Sequence, residues 1–100
     1  MNGPLANIKV LDFSRVLSGP FCTMLLADLG AEVIKVERPG QGDPARSLGP
    51  KVDGESAYFI SVNRGKKSIT LDLSQEDAQL NVKEMIPHFD VLVENFVPGT

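Results

Sequence analysis

The chain has 100 residues, 42% of them hydrophobic, and 10 Lys and Arg residues against 13 Asp and Glu residues give a formal net charge of −3. This length allows one small core, and without a strongly basic stretch we expect no nucleic-acid partner. The longest apolar run, residues 24–27, is far shorter than the roughly 20 residues that span a bilayer, so no membrane is expected. A single cysteine, Cys22, and the absence of a secretory signal predict a cytoplasmic protein.

Four short segments rich in Val, Ile and Leu predict strands at residues 8–12, 32–37, 68–73 and 91–95. Helical stretches separate them. Apolar strands that alternate with helices are typical of a largely parallel sheet covered on both faces.

The first predicted helix covers residues 20–29. Pro20 suits the first helical position because its missing N–H needs no partner there, and Gly30 follows as a C-terminal cap. Spacings of i, i+3, i+4 and i+7 predict a buried apolar stripe made of Cys22, Leu25, Leu26 and Leu29.

The second predicted helix covers residues 75–86. Ser74 and Asp77 form a capping pair at its start, and Pro87 ends it. Its predicted buried stripe consists of Ala78, Val82, Met85 and Ile86.

The order is therefore β-α-β, a long connection over residues 38–67, and β-α-β. Within the connection only residues 57–62 are expected to form a short ordered piece, and a connection of this length is typically functional. Two short helices cover a four-stranded sheet poorly, so either the sheet is half exposed or more chain or a partner covers it. We interpret the chain as a fragment.

Ligands of an open α/β sheet bind beyond the carboxyl ends of its strands. The first of these ends, residues 13–20, joins a strand to a helix and can turn free N–H groups toward a ligand. It has neither the G-x-G-x-x-G pattern nor a P-loop, so the usual signatures of dinucleotide and nucleoside triphosphate binding are missing.

Several charged residues near these ends have two interpretations. Glu37 could hold a ribose, and Arg38 could bind a ribose phosphate or be an ordinary surface arginine. The cations within residues 63–67 could form a phosphate lip or a solvated turn. Asp12 and Asp72 could be acids or bases, or could satisfy loop N–H groups.

Neither Cys22 nor His88 suggests chemistry. Cys22 falls on the predicted apolar stripe without a histidine close in sequence, which favours packing. His88 has no His, Cys or carboxylate at a spacing that predicts a metal site, so no metal is expected.

Five blocks of sequence, in order and at natural spacing, resemble family III CoA-transferases. They are residues 10–21 (VLDFSRVLSGPF), 27–40 (ADLGAEVIKVERPG), 42–43 (GD), 63–69 (NRGKKSI) and 90–99 (DVLVENFVPG). No single block is decisive, but together they extend over nearly the whole chain, from residue 10 to residue 99. The resemblance implies that residues 1–100 are the N-terminal, Rossmann-like, CoA-binding segment of a larger fold that forms interlocked homodimers.

The resemblance also implies an activity. Such transferases move CoA from an acyl-CoA thioester to a free carboxylic acid, through an aspartate that attacks the thioester and forms an acyl-aspartyl anhydride. That aspartate lies downstream of Thr100, so we expect no catalytic residue here and an inactive chain in isolation. Residues 49–64 are most similar to members that use succinyl-CoA and dicarboxylic acids. Two alternatives stay open: an acyl-CoA racemase or epimerase of the same family, and a non-catalytic nucleotide-binding or dimerisation module.

Position by position, the resemblance implies CoA contacts at four strand ends. Formyl-CoA transferases have glutamine where this chain has Leu17, which argues against formate or oxalate as substrate. The implied contact residues are Val16, Leu17, Ser18, Arg38, Leu71, Asp72, Leu73, Ser74, Asn95, Phe96 and Val97.

Overall fold

The computed structural model describes residues 3–97, which form one open sheet with helices on both faces. In chain order the elements are β1 (Lys9–Asp12), α1 (Ser18–Asp28), β2 (Glu32–Glu37), β3 (Lys51–Val52), β4 (Glu55–Ser56), α2 (Ala57–Asn63), β5 (Lys67–Thr70), α3 (Glu76–Met85) and β6 (Val91–Val93), with 3-10 turns at Pro44–Ser47 and Ile86–His88.

The main sheet has the strand order β5-β2-β1-β6, and every neighbouring pair is parallel. The chain moves outward from β1 through β2 to β5 and then returns to the other side of β1 to form β6. This is the order 3-2-1-4 of a Rossmann-type sheet, whose topological switch point lies between β1 and β6. The predicted α/β fold with a mostly parallel sheet is confirmed.

Two apolar layers hold the sheet between its helices. Val10 and Leu11 are consecutive in β1, fully buried, and point to opposite faces, as the period of a strand requires. Val10 packs with Ala27 of α1 and with Val33. Leu11 packs in the other layer, where the partly buried Val82 of α3 covers it.

The predicted apolar stripe of α1 is wrong. Cys22, Leu25 and Leu29 are exposed, and the buried face consists of Gly19, Pro20, Thr23, Met24 and Ala27. The helix is apolar on most sides, so periodicity alone does not select the face that meets the sheet. Small residues decide it, because a Cβ added at Gly19 would overlap the side chain of Ser14. Gly30 follows the helix with φ +104°, as predicted for a C-terminal cap.

The start of α3 also differs from the prediction. Ser74 does not cap the helix, because its Oγ donates to Asp72 Oδ1 at 2.6 Å, and Gln75 precedes the helix without a side-chain cap. Ala78 is buried as predicted, while Ile86 is exposed where the chain enters a 3-10 turn.

The long connection contains the expected ordered piece and one further element. The helix α2 occupies the predicted position, and Ser56 caps it by accepting a hydrogen bond from Phe59 N at 3.1 Å. The hairpin of β3 and β4 was not predicted, although Asp53 and Gly54, with φ of 52° and 81°, are an Asp-Gly turn pair. No helix in residues 3–97 is both long and apolar enough to cross a membrane.

Candidate functional site

Two clefts adjoin at the carboxyl edge of the sheet. The strand-end cleft, of about 470 Å³, has walls from the segments after β1, β2, β5 and β6, including Phe13, Arg15, Arg38, Leu71, Asp72, Leu73, Ser74 and Phe96. The loop cleft, of about 510 Å³, is lined by Arg15, Val16, Leu17, Ser18, Pro44 and Asn95. Arg15 is on the wall of both. These volumes are within the usual range of small-molecule sites.

The structure therefore brings most of the residues predicted from the sequence to one edge. Six of them line the strand-end cleft and four line the loop cleft. The remaining one, Val97, follows Phe96 and is exposed. Because β5 ends at Thr70 rather than at residue 73, Leu71 and Leu73 belong to the loop that forms the cleft wall.

The segment after β1 is joined to the segment after β6 across the switch point. Arg15 N donates to Asn95 Oδ1 and Asn95 Nδ2 donates to Arg15 O, both at 2.8 Å. The Arg15 guanidinium also lies 5.1 Å from the centre of the Phe96 ring, within cation–π range. One side-chain amide thus satisfies both backbone groups of Arg15.

The next residue, Val16, has a left-handed backbone with φ 69°, which is rare for a β-branched residue. Its N–H donates to Asp43, at 3.1 Å from Oδ1 and 3.3 Å from Oδ2. Strained backbone of this kind persists only where the surroundings fix it, and it is concentrated at functional sites.

A buried ion pair lies beneath this loop. Lys35 Nζ is 2.9 Å from Asp43 Oδ2 and donates to Ser14 O at the same distance. Asp43 Oδ1 also accepts from Ala45 N at 2.9 Å. The charges are therefore paired and hydrogen-bonded, as burial requires. Sequence reasoning missed this pair, although a lysine inside the apolar strand β2 was the available signal.

A second buried pair ties β1 to the segment before β5. Asp12 Oδ2 accepts from Thr23 Oγ1 at 2.7 Å and lies 3.2 Å from Lys66 Nζ, which also donates to Asn63 Oδ1 at 2.7 Å. Burial lowers the pKa of Lys66, and the charge and hydrogen bond of Asp12 oppose that shift. Asp12 also accepts from Ser14 N at 2.9 Å, so it satisfies the loop, one of its two predicted roles.

The other two cations of residues 63–67 pair with carboxylates outside both clefts. Arg64 Nη2 lies 2.8 Å from Asp28 Oδ2, and Lys67 Nζ lies 3.3 Å from Glu32 Oε2. These two cations therefore form exposed ion pairs and line neither cleft, which favours a solvated turn over a phosphate lip.

Glu37 is a structural carboxylate. Arg46 donates to it from Nε and Nη2, both at 2.7 Å, and Asp43 N and Ser68 Oγ donate at 2.9 Å. Burial on its own would raise the pKa of Glu37, but these hydrogen bonds outweigh it and lower the pKa to about 2. With protein donors on both oxygens, Glu37 is not free to hold a ribose.

Arg38 follows Glu37 in sequence and, unlike Glu37, is exposed to solvent. Its side chain is exposed on the wall of the strand-end cleft, and its Nε donates to Gly42 O at 3.1 Å. Across the same cleft, hydrogen bonds from the Ser74 hydroxyl and backbone lower the pKa of Asp72. The cleft thus combines an apolar wall with a guanidinium that can form charge-assisted hydrogen bonds to phosphate.

The remaining candidates lie elsewhere. Cys22 is exposed on α1 and His88 is exposed in the last 3-10 turn, and neither lines a cleft at the sheet edge. Over residues 3–97, no group of three or more His, Cys, Asp or Glu side chains is close enough together to hold a metal ion.

Comparison with known proteins gives the same family that the sequence blocks resemble. The family model "CoA-transferase family III" matches residues 5–100. Succinyl-CoA:glutarate CoA-transferase of Mus musculus is 58% identical over 97 residues, which are 96% of this chain and 22% of the mouse protein. Acetyl-CoA:oxalate CoA-transferase of Acetobacter aceti is 50% identical, over 97% of this chain and 25% of that protein.

A solved structure agrees with the fold. The crystal structure of a CAIB/BAIF family protein from Brucella suis has a TM-score of 0.87 and 44% identity, over 96% of this chain and 26% of that one. The chain thus spans about a quarter of the length of the proteins it matches. On this evidence, the chain belongs to family III of the CoA-transferases.

Proposed function

We propose that residues 1–100 are the N-terminal CoA-binding segment of an enzyme that transfers CoA from an acyl-CoA thioester to a free carboxylic acid. One observation carries the proposal: ten of the eleven residues expected to contact CoA line two adjoining clefts at the carboxyl edge of the sheet. This edge, next to the switch point, is where Rossmann-type sheets bind their ligands.

The two clefts suit the two ends of CoA. In the strand-end cleft, Arg38 binds the 3′-phosphate of the ribose, and the apolar wall accommodates the adenosine. In the loop cleft, Val16, Leu17 and Ser18 contact the remainder of CoA at the start of α1. Asn95 and Phe96 complete the wall between them.

The relatives support CoA as the ligand of this segment. The mouse and Acetobacter enzymes are named for different donors and acids, yet over the aligned residues each is at least 50% identical to this segment. What these enzymes have in common by name is CoA. We propose succinyl-CoA or another dicarboxyl-CoA as the donor, because identity is higher to the mouse protein, and because Leu17 replaces the glutamine of formyl-CoA transferases.

The catalytic residues are expected in the part of the protein that follows residue 100. We place the nucleophilic aspartate there, so residues 1–100 alone do not turn over. A line of apolar side chains on the outer face of α1, each about half exposed, also needs cover: Leu17, Phe21, Leu25 and Leu29. We propose that a second copy of the full-length protein, in a homodimer, covers these side chains. We also propose that the protein is cytoplasmic and uses no metal.

A direct test is the exchange reaction of the full-length protein. Incubation with succinyl-CoA and glutarate should form a new CoA thioester that chromatography resolves, while incubation with a chiral 2-methylacyl-CoA should leave its configuration unchanged. Inversion of the 2-methylacyl-CoA without CoA exchange would replace the transferase with a racemase. Binding of CoA with neither reaction would indicate a non-catalytic module.

A further inference from the structure

The Arg15 side chain has no carboxylate partner among residues 3–97, and the same is true of Arg38 on the wall of the strand-end cleft. In contrast, Arg46 and Arg64 each have a carboxylate oxygen within 2.8 Å. The only side-chain contact recorded for Arg15 within residues 3–97 is with the ring of Phe96. Arg15 lies between the strand-end cleft and the loop cleft and lines both.

The backbone of Arg15 is fixed to an unusual degree. Asn95 satisfies both its N–H and its C=O. On either side, Lys35 holds the carbonyl of Ser14 and Asp43 holds the N–H of Val16. Side chains thus bind the backbone of three consecutive residues, so the point from which the Arg15 side chain extends is fixed before any ligand arrives, and the Phe96 ring contacts the guanidinium itself. A group fixed in advance loses less conformational entropy on binding.

The Phe96 ring occupies one face of the guanidinium and leaves its N–H donors for another partner. A planar guanidinium matches the oxygen pairs of carboxylates and phosphates, so its natural partner is an oxyanion. We propose that Arg15 is a ligand-binding residue that takes an oxyanion of the substrate at the junction of the two clefts. This inference depends on the proposed CoA-transferase function.

Two parts of the substrate supply that chemistry: a phosphate of CoA itself, or the distal carboxylate of a dicarboxyl-CoA. The Arg15→Gln variant of the full-length protein separates them, because its backbone keeps the hydrogen bonds to Asn95 and the fold should persist. Affinities for CoA, succinyl-CoA and the uncharged analogue butyryl-CoA are measured by displacement of a fluorescent CoA derivative, without an acceptor acid. Arg64→Gln, at an exposed arginine outside both clefts, is the matched control.

A charge-assisted contact predicts a loss of about 10- to 150-fold in affinity. An equal loss for all three ligands identifies a phosphate, and a loss confined to succinyl-CoA identifies the carboxylate. In either case Arg15→Lys should recover part of the affinity, which a purely structural role would not predict. Changes below about twofold for every ligand, with tight binding by the wild type, would overturn the role of Arg15 alone. A wild-type protein that binds none of the three would overturn both this role and the proposed function.

Discussion

Lys35 and Asp43 form an ion pair of 2.9 Å although both side chains are almost fully buried. The pair also holds the loop above it, because Lys35 donates to Ser14 O and Asp43 accepts from Val16 N. It therefore connects strand β2 to the left-handed turn at Val16 and, through that turn, to the loop cleft.

Breaking this pair should destabilise the protein strongly. A buried charge left without its partner costs about 3–5 kcal/mol, so Lys35→Met should lower the free energy of unfolding by about that much. Lys35→Met combined with Asp43→Asn should cost less than the sum of the two single changes, because no charge remains uncompensated. Urea unfolding of the full-length protein measures these values.

The exposed pair of Lys67 and Glu32 gives the matched control. Its Nζ–Oε2 distance is 3.3 Å and both side chains are well exposed, so Lys67→Met should cost less than about 1 kcal/mol. Similar losses for Lys35→Met and Lys67→Met would contradict the bridging role of the buried pair.

Glu37 should make the free energy of unfolding depend on pH in the acid range. Its pKa is lowered from 4.5 to about 2, so the unfolded state binds a proton first as the pH falls. The stabilisation is fully present above about pH 4.5 and is lost as the pH falls toward 2. It amounts to about 3 kcal/mol. Glu37→Gln should therefore lower the melting temperature at pH 7 and have a much smaller effect near pH 2.5. A difference between the two proteins that is constant over this range would contradict the assignment.

Cys22→Ala in the full-length protein should change the rate of the proposed CoA exchange by less than about twofold. The thiol is exposed on α1 and lines neither cleft, so it contacts no proposed ligand. Steady-state rates of CoA exchange check this, with Cys22→Ser as a second variant that keeps a polar group of similar size. Loss of turnover in both variants, with unchanged melting temperatures, would give the thiol a role in the reaction.

Local patterns predicted the sheet and the carboxyl ends of β1 and β2, whereas β5 ends at Thr70 and β6 at Val93, before the predicted residues 73 and 95. Apolar clusters such as Val10 and Leu11, followed by Pro20 and Gly30 around the helix, are signals carried by neighbouring residues. The burial of α1 was not predictable in this way, because its apolar residues surround the helix and only the contact of Gly19 with Ser14 selects a face.

The buried ion pairs could not be predicted from local patterns for a different reason. Lys35 is eight positions from Asp43, and Asp12 is far from Lys66 along the chain, so the pairs exist only once the sheet is assembled. The same holds for Asn95 and Arg15, which meet because β1 and β6 are neighbours. The sequence blocks suggested which loops form the site, whereas the atoms that fix those loops came from the structure.

We propose that the strand-end cleft binds the nucleotide end of CoA, with Arg38 on the 3′-phosphate. A charge-assisted guanidinium–phosphate contact is worth roughly 1.5–3 kcal/mol, or about 10- to 150-fold in affinity. Arg38→Ala removes a side chain whose only recorded contact in the described structure is the hydrogen bond from Nε to Gly42 O, so the fold should be kept. Arg64→Ala is the control at an exposed arginine outside the cleft.

The most direct measurement is calorimetric titration of the full-length wild type, Arg38→Ala and Arg64→Ala with CoA and with 3′-dephospho-CoA. The wild type and Arg64→Ala should prefer CoA, and Arg38→Ala should lose about 10- to 150-fold for CoA while changing little for 3′-dephospho-CoA. Equal weakening of both ligands would indicate a general defect. If Arg38→Ala prefers CoA over 3′-dephospho-CoA as strongly as the wild type does, Arg38 does not bind the 3′-phosphate and the claim is contradicted.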